Sequence, residues 1–212
     1  MNTQEKFVIT ISREVGSGGR TVGRKLAEKL GVRYCDKQLI KKLTEMFGLN
    51  ASEIESIKAK KKSWLEDLFS KITPEFGSEM FIPKGVEYAP EVTSGEILNY
   101  ESQVLEQLAE ESSCVIAGRS GFFVLKDHPN KFDVFIHASK PNRVKRIMRK
   151  QELSEKEAEE VISYVDKARE NYIQQYASTS RYDLRNYDIV LNMDYLTEDQ
   201  AVDLILKAIG RD

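Results

Sequence analysis

The chain has 212 residues, with 32 Lys and Arg against 34 Asp and Glu, for a formal net charge of −2. With 41% hydrophobic and 31% charged residues, it can fill one core, as one large domain or a domain with inserts, and is not a disordered chain. No apolar run nears the roughly 20 residues of a membrane span, and the balanced charge argues against a dedicated nucleic-acid binder.

The start, Met1 to Lys6, lacks the basic stretch and long apolar run of a secretion signal. Two cysteines, Cys35 and Cys114, outline neither a disulfide framework nor a metal knuckle. The expectation is a reduced, cytoplasmic protein with no membrane and no nucleic-acid partner; homo-oligomerisation is left open.

In chain order, strand-like runs cover Phe7–Ile11, Val32–Cys35, Cys114–Ala117, Phe132–Ile136 and Asp188–Leu191. Four of the five are nearly continuous in apolar residues, as parallel strands covered on both faces require. Helical patterns cover Thr21–Leu30, Lys37–Phe47, Gly95–Glu111, Pro141–Gln151, Ser154–Tyr176 and Thr197–Ile209. Alternation of this kind predicts an α/β doubly wound sheet. Residues 48–94 interrupt it with the basic run Lys58–Lys62, the amphipathic Trp64–Phe69 and a Pro- and Gly-bearing stretch. We read 48–94 as an insertion that caps a site or makes a subunit contact; a solvated helix face also accounts for the lysines.

The first strand runs through Ser12-Arg-Glu-Val-Gly-Ser-Gly-Gly-Arg-Thr21 directly into a helix. Gly16, Gly18 and Gly19 let the backbone turn its amides inward, and the helix N-terminus adds its dipole, which together make a phosphate site. Against the pattern G-x-x-x-x-G-K-[ST], Gly19, Arg20 and Thr21 stand at the last three positions, with Arg20 for lysine and Glu14 at the first glycine. Arginine binds phosphate oxygens as a planar fork rather than a point charge. The candidate cofactor-binding residues are therefore Arg13, Gly16, Ser17, Gly18, Gly19, Arg20 and Thr21, with the Thr21 hydroxyl a candidate Mg²⁺ ligand.

In open α/β sheets, ligands sit beyond the carboxyl ends of the strands. Asp36 follows the second strand and could hold Mg²⁺ through water or orient an acceptor; Arg119 follows the third and could fork onto an acceptor phosphate. A helix cap or surface ion pair is the alternative for each. In the helix Ser154–Tyr176, Arg169 falls inside the apolar stripe with Asp166 at its margin. A buried guanidinium needs a carboxylate or a phosphate, so Arg169 is either an ion-pair partner of Asp166 or a lid arginine meeting the transferred phosphoryl group. Arg143, Arg146 and Arg149 share a helix face, which is either solvated or gathers charge during phosphoryl transfer. His128 and His137 have no metal-ligand spacing and are read as structural.

Taken together, Ile9–Arg20, Val22–Gly31, Tyr34–Ile40, Cys114–Arg119, Val134–Ala138 with Arg143–Arg146, Asp166 with Arg169 ahead of Asn171–Tyr176, and Tyr187–Leu191 resemble the cytidylate kinase-like family of bacterial P-loop proteins. The resemblance implies the nucleoside-monophosphate-kinase fold: a P-loop NTPase-type three-layer sandwich with a five-stranded parallel sheet, an inserted acceptor-binding segment and an arginine-bearing lid. In this chain that means one domain over 1–212, the insertion at 48–94 and a helical lid at 141–185.

It further implies phosphoryl transfer from ATP with Mg²⁺ to a small nucleotide-like acceptor, CMP being one candidate. The catalytic set would be Arg20, Arg119, Arg143, Arg146, Asp166 and Arg169, with Asp166 aiming Arg169. Departures from true cytidylate kinases are Arg20 in the loop, Asp36-Lys37-Gln38 where those enzymes have Asp-Ser-Gly, and Gly118-Arg119-Ser120 where they have Gly-Arg-Asp. They leave the acceptor open and motivate a second reading, a nucleotide-binding regulatory or assembly protein that kept the fold without transfer.

Overall fold

A computed structural model describes residues 1–36 and 95–211. The helix expected over 37–47 and the insertion at 48–94 lie outside the described residues. Five strands form one all-parallel sheet: β1 (Val8–Arg13), β2 (Arg33–Cys35), β3 (Cys114–Ala117), β4 (Lys131–His137) and β5 (Ile189–Asn192), in the order β2-β3-β1-β4-β5. All five strand-like runs are strands, and the expected α/β class holds. The described helices are α1 (Gly19–Leu30), α2 (Gly95–Glu111), α3 (Gly121–Val124), α4 (Lys140–Gln151), α5 (Glu155–Ala177) and α6 (Glu198–Ala208). The short α3 has too few residues to show a periodic signal, and the sequence reading missed it.

The alternation of side chains along β1 sorts the core into two layers. Val8 packs with Val104, Leu105, Leu108, Cys114 and Ile116 on the α2 side. Ile9 and Ile11 pack with Val22, Leu26, Val115, Val134, Ile136, Val202 and Ile205 on the side of α1 and α6. Gly23 permits the close fit of α1 on the sheet, since a Cβ there would lie 3.1 Å from Ile11 Cδ1 and 3.0 Å from Tyr34 Cε2.

Helix α1 begins two residues before the predicted Thr21, with Gly18 as its left-handed N-cap at φ +93°. Glycine's low helix propensity hid this start, because at Gly19 crowding, not propensity, sets the residue. Helices α5 and α6 open on capping boxes, Ser154 with Glu157 and Thr197 with Gln200. Pro141 suits the first turn of α4.

A third cluster joins α4 to α5: Val144 and Ile147 against Ala158, Ile162 and Val165. Val15 of the glycine-rich loop is buried in the same cluster, so this helix pair is seated on the loop by apolar contact. Leu26 has no exposed surface, and Leu26→Ala should lower stability by about 2–5 kcal/mol, read as the shift in a urea unfolding curve at unchanged slope.

Candidate active site

From the central strand β1 the chain leaves toward the β2 edge, and from its neighbour β4 toward the β5 edge. Such divergence opens a crevice beyond the carboxyl ends of the strands. The loop 12–21, Asp36, Gly118–Ser120 and the start of α4 all gather there.

The loop is held by its own groups. Glu14 N–H donates to Ile136 O (3.1 Å), and the Ser17 hydroxyl donates to Glu14 O (2.9 Å). The Glu14 carboxylate accepts from Ala138 N–H (3.3 Å) and faces Arg143 Nε at 3.5 Å. Gly16 adopts φ +80°, and a Cβ there would sit 2.9 Å from Arg143 O, so glycine is required twice over. Val22 N–H bonds Gly18 O at 3.1 Å in the first turn of α1. The amides of Gly18, Gly19 and Thr21 precede it and carry the positive end of the helix dipole.

Asp166 lies at the centre of the arginine cluster. One carboxylate oxygen accepts from Val15 N–H at 3.1 Å and stands 3.5 Å from Arg181 Nη1 and 3.8 Å from Arg169 Nη1. The other is bonded to Arg143. The expected ion pair between Asp166 and Arg169 therefore forms, but the depths are reversed: Asp166 is buried and Arg169 is the more exposed of the two. The wheel underestimated Asp166 because α4 and the loop, not the stripe of α5 alone, cover it. Arg169 also donates to Arg13 O at 3.2 Å.

The sequence reading missed Arg181. It is 4% exposed, donates to Arg13 O, and its guanidinium lies 5.9 Å from the Phe135 ring and 5.3 Å from the Tyr182 ring. It sits in an irregular segment between α5 and β5, where no periodicity marks burial. Around Asp166 and Glu14 stand Arg143, Arg169 and Arg181, three cations against two carboxylates. That excess suits a polyanion.

On the shared face of α4, Arg143 is buried and Arg149 exposed. Arg146 lies between them in depth, bonded to Glu198 at 2.5 Å with its Cζ 3.2 Å from where a Gly18 Cβ would be. Only Arg143 and Arg146 of the three reach the loop. Arg20 pairs with Asp36 at 3.0 Å, and its carbonyl accepts from the Tyr34 hydroxyl at 3.3 Å. Arg119 pairs with buried Glu101, a partner the sequence reading did not name.

Gly118, Arg119 and Ser120 are consecutive left-handed residues with φ of +87°, +53° and +55°. Two non-glycine residues in that region carry strain of a kind that clusters at functional sites.

These features define a P-loop-type α/β protein, with a glycine-rich strand-to-helix loop at the centre of a parallel sheet. The cytidylate kinase-like family model matches residues 8–195, and the chain belongs to that family. It is 30% identical over 160 residues to a cytidylate kinase of Thermosipho melanesiensis, covering 71% of each chain. A crystal structure of an uncharacterised Eubacterium ventriosum protein superposes with TM-score 0.70 at 25% identity, over 97% of this chain and 99% of that one. A Sinorhizobium meliloti gluconokinase shares the fold at TM-score 0.53 and 13% identity, over 97% and 92%. No helix among the described residues is long and apolar enough to cross a membrane.

Replacing Asp166 by Asn would strand several arginines without their carboxylate, and should cost about 3–5 kcal/mol, measured by chemical denaturation. Burial pushes the Tyr34 hydroxyl up to about 12 from 10.0. Between those pH values the unfolded chain loses this proton while the folded one keeps it, so stability falls as pH rises through the window. Tyr34→Phe should remove that part of the alkaline decline, seen by comparing melting temperatures of the two proteins across the same pH range.

Proposed function

We propose that the protein transfers a phosphoryl group from ATP to a small nucleotide-like acceptor, a nucleoside monophosphate such as CMP being the first to test. The observation that carries this reading is the excess of guanidinium groups packed on the glycine-rich loop, with Asp166 orienting three of them. Phosphoryl transfer needs little covalent chemistry from the protein; it needs positioning and charge stabilisation.

The amides at the start of α1 would take the donor's β- and γ-phosphate oxygens. Arg143 and Arg169, fixed by Asp166, and Arg146, fixed by Glu198, would meet the charge that spreads over the transferred group. Their orientation before ligand arrives lowers the reorganisation needed at the moment of transfer. Arg119 and Asp36, at the ends of β3 and β2, would position the acceptor. The helix pair α4–α5 with the segment to 185 would act as the lid that excludes water.

Mg²⁺ in such sites takes oxygen ligands, usually one or two carboxylates together with phosphates and water. Thr21 and Asp36 offer donors of that chemistry. Among the described residues no group of three or more His, Cys, Asp or Glu could hold a metal by itself. Bound there, the ion would supply neutralising charge at the β,γ-oxygens.

The absence of a lysine from the loop favours the second reading, a nucleotide-binding regulator without transfer. Isotope-labelled ATP incubated with a panel of nucleoside monophosphates separates the two: a labelled diphosphate product supports the kinase, and ATP binding with no product from any acceptor supports the regulator. In the kinase, Arg169→Ala should lower kcat roughly 10²- to 10³-fold with little change in KM for ATP, while Arg119→Ala should raise KM for the acceptor. Steady-state kinetics with each substrate varied in turn checks both.

A further inference from the structure

The pattern G-x-x-x-x-G-K-[ST] can be laid on this loop in a second register, one residue earlier, from Arg13 to Arg20. Arg13 then stands at the first glycine, Gly18 at the second, Gly19 at the lysine and Arg20 at the serine or threonine. Space in the fold ties two of the three departures of this register, Arg13 and Gly19, together. A Cβ on Gly19 would lie 2.7 Å from Arg13 Cβ and 3.0 Å from its Cγ, with Ile136 Cβ at 3.4 Å on the other side. A Cβ on Gly118 would overlap Arg13 Nη1.

The Arg13 side chain therefore runs from the end of β1 across Gly19 to Gly118, and both glycines must lack side chains to let it pass. Glycine replaced by arginine and lysine replaced by glycine are two halves of one exchange. The cation has moved from the start of the helix to the end of the strand.

We propose that Arg13 is the phosphate-binding cation of this loop, standing in for the missing lysine and gripping β- and γ-phosphate oxygens of a nucleoside triphosphate with its guanidinium fork. This assignment rests on the reading of the site as an ATP site.

Among the described residues Arg13 makes no ion pair with a carboxylate, whereas Arg20 is engaged by Asp36 at 3.0 Å. The main chain of Arg13 is pinned, because Arg169 and Arg181 both donate to its carbonyl. Among the described residues Nη1 of the neighbouring Arg181 makes no hydrogen bond, with the Asp166 carboxylate at 3.5 Å, and an incoming anion would complete it. Burial pushes the Arg13 pKa down, with Arg181 and Arg20 adding to the effect against Tyr34 and Asp36. An under-compensated guanidinium of this kind favours an anionic ligand.

Calorimetric titration with ATP and with inorganic tripolyphosphate tests the assignment on the wild type, Arg13→Ala, Arg13→Lys, Arg20→Ala and the double variant Arg13→Gly/Gly19→Lys. Arg13→Ala should lose roughly 10- to 100-fold in affinity for both anions, more than Arg20→Ala loses. Arg13→Lys should keep part of the affinity. The double variant, which returns the cation to the helix start, should recover most of the loss.

Equal binding by Arg13→Ala and wild type overturns the assignment, as does a larger loss in Arg20→Ala. If Arg13→Ala does not fold by circular dichroism, the folded double variant decides: recovered binding supports the exchange and absent binding overturns it. Wild type that binds neither anion overturns this assignment and the ATP-site reading together, whereas wild type that binds while Arg13→Ala binds equally well leaves the ATP-site reading intact.

Discussion

The Asp166 carboxylate is the constraint on which the site depends. It accepts the Val15 amide of the loop, bonds Arg143 of α4 and faces Arg169 of its own helix and Arg181 of the following segment. One anion thus ties three separate chain segments to the loop. Without it the guanidinium groups would repel one another, and α5 would keep only the Arg169 bond to Arg13 O and the apolar contact through Val15. Paired, the guanidinium groups are held in one orientation in a largely buried cluster, where electrostatic interactions are stronger than in water.

The charged side chains of the glycine-rich loop are each accommodated by particular partners. One Glu14 carboxylate oxygen, Oε2, is engaged twice, by Ala138 N–H and by Arg143. Arg13 is accommodated because Gly19 and Gly118 leave its path open. These are compensations between residues far apart in sequence, and each has a definite steric or electrostatic partner.

Much of the fold was legible because it rests on local periodicity. Apolar runs of strand length marked all five strands, and the bounds predicted for Gly95–Glu111 are those observed. The start of α1 was less legible, since its two glycines oppose helix by propensity and are retained for space and for φ. At the site, Asp166 with Arg169, and Arg143 with Arg146, were found from helix faces. Arg181 and Glu101 were not: Arg181 lies in a segment with no period, and the role of Glu101 exists only through its contact with Arg119.

The sequence by itself determined the class of fold, the position of a phosphate loop and the wealth of arginine around it, because each depends on spacing along the chain. Tertiary structure alone decided which arginine sits where. Arg20 turns to Asp36, and Arg13 crosses Gly19 toward Gly118. The physical reason is that ion pairing and exclusion of overlapping atoms act between groups that the chain brings together only when the sheet is assembled.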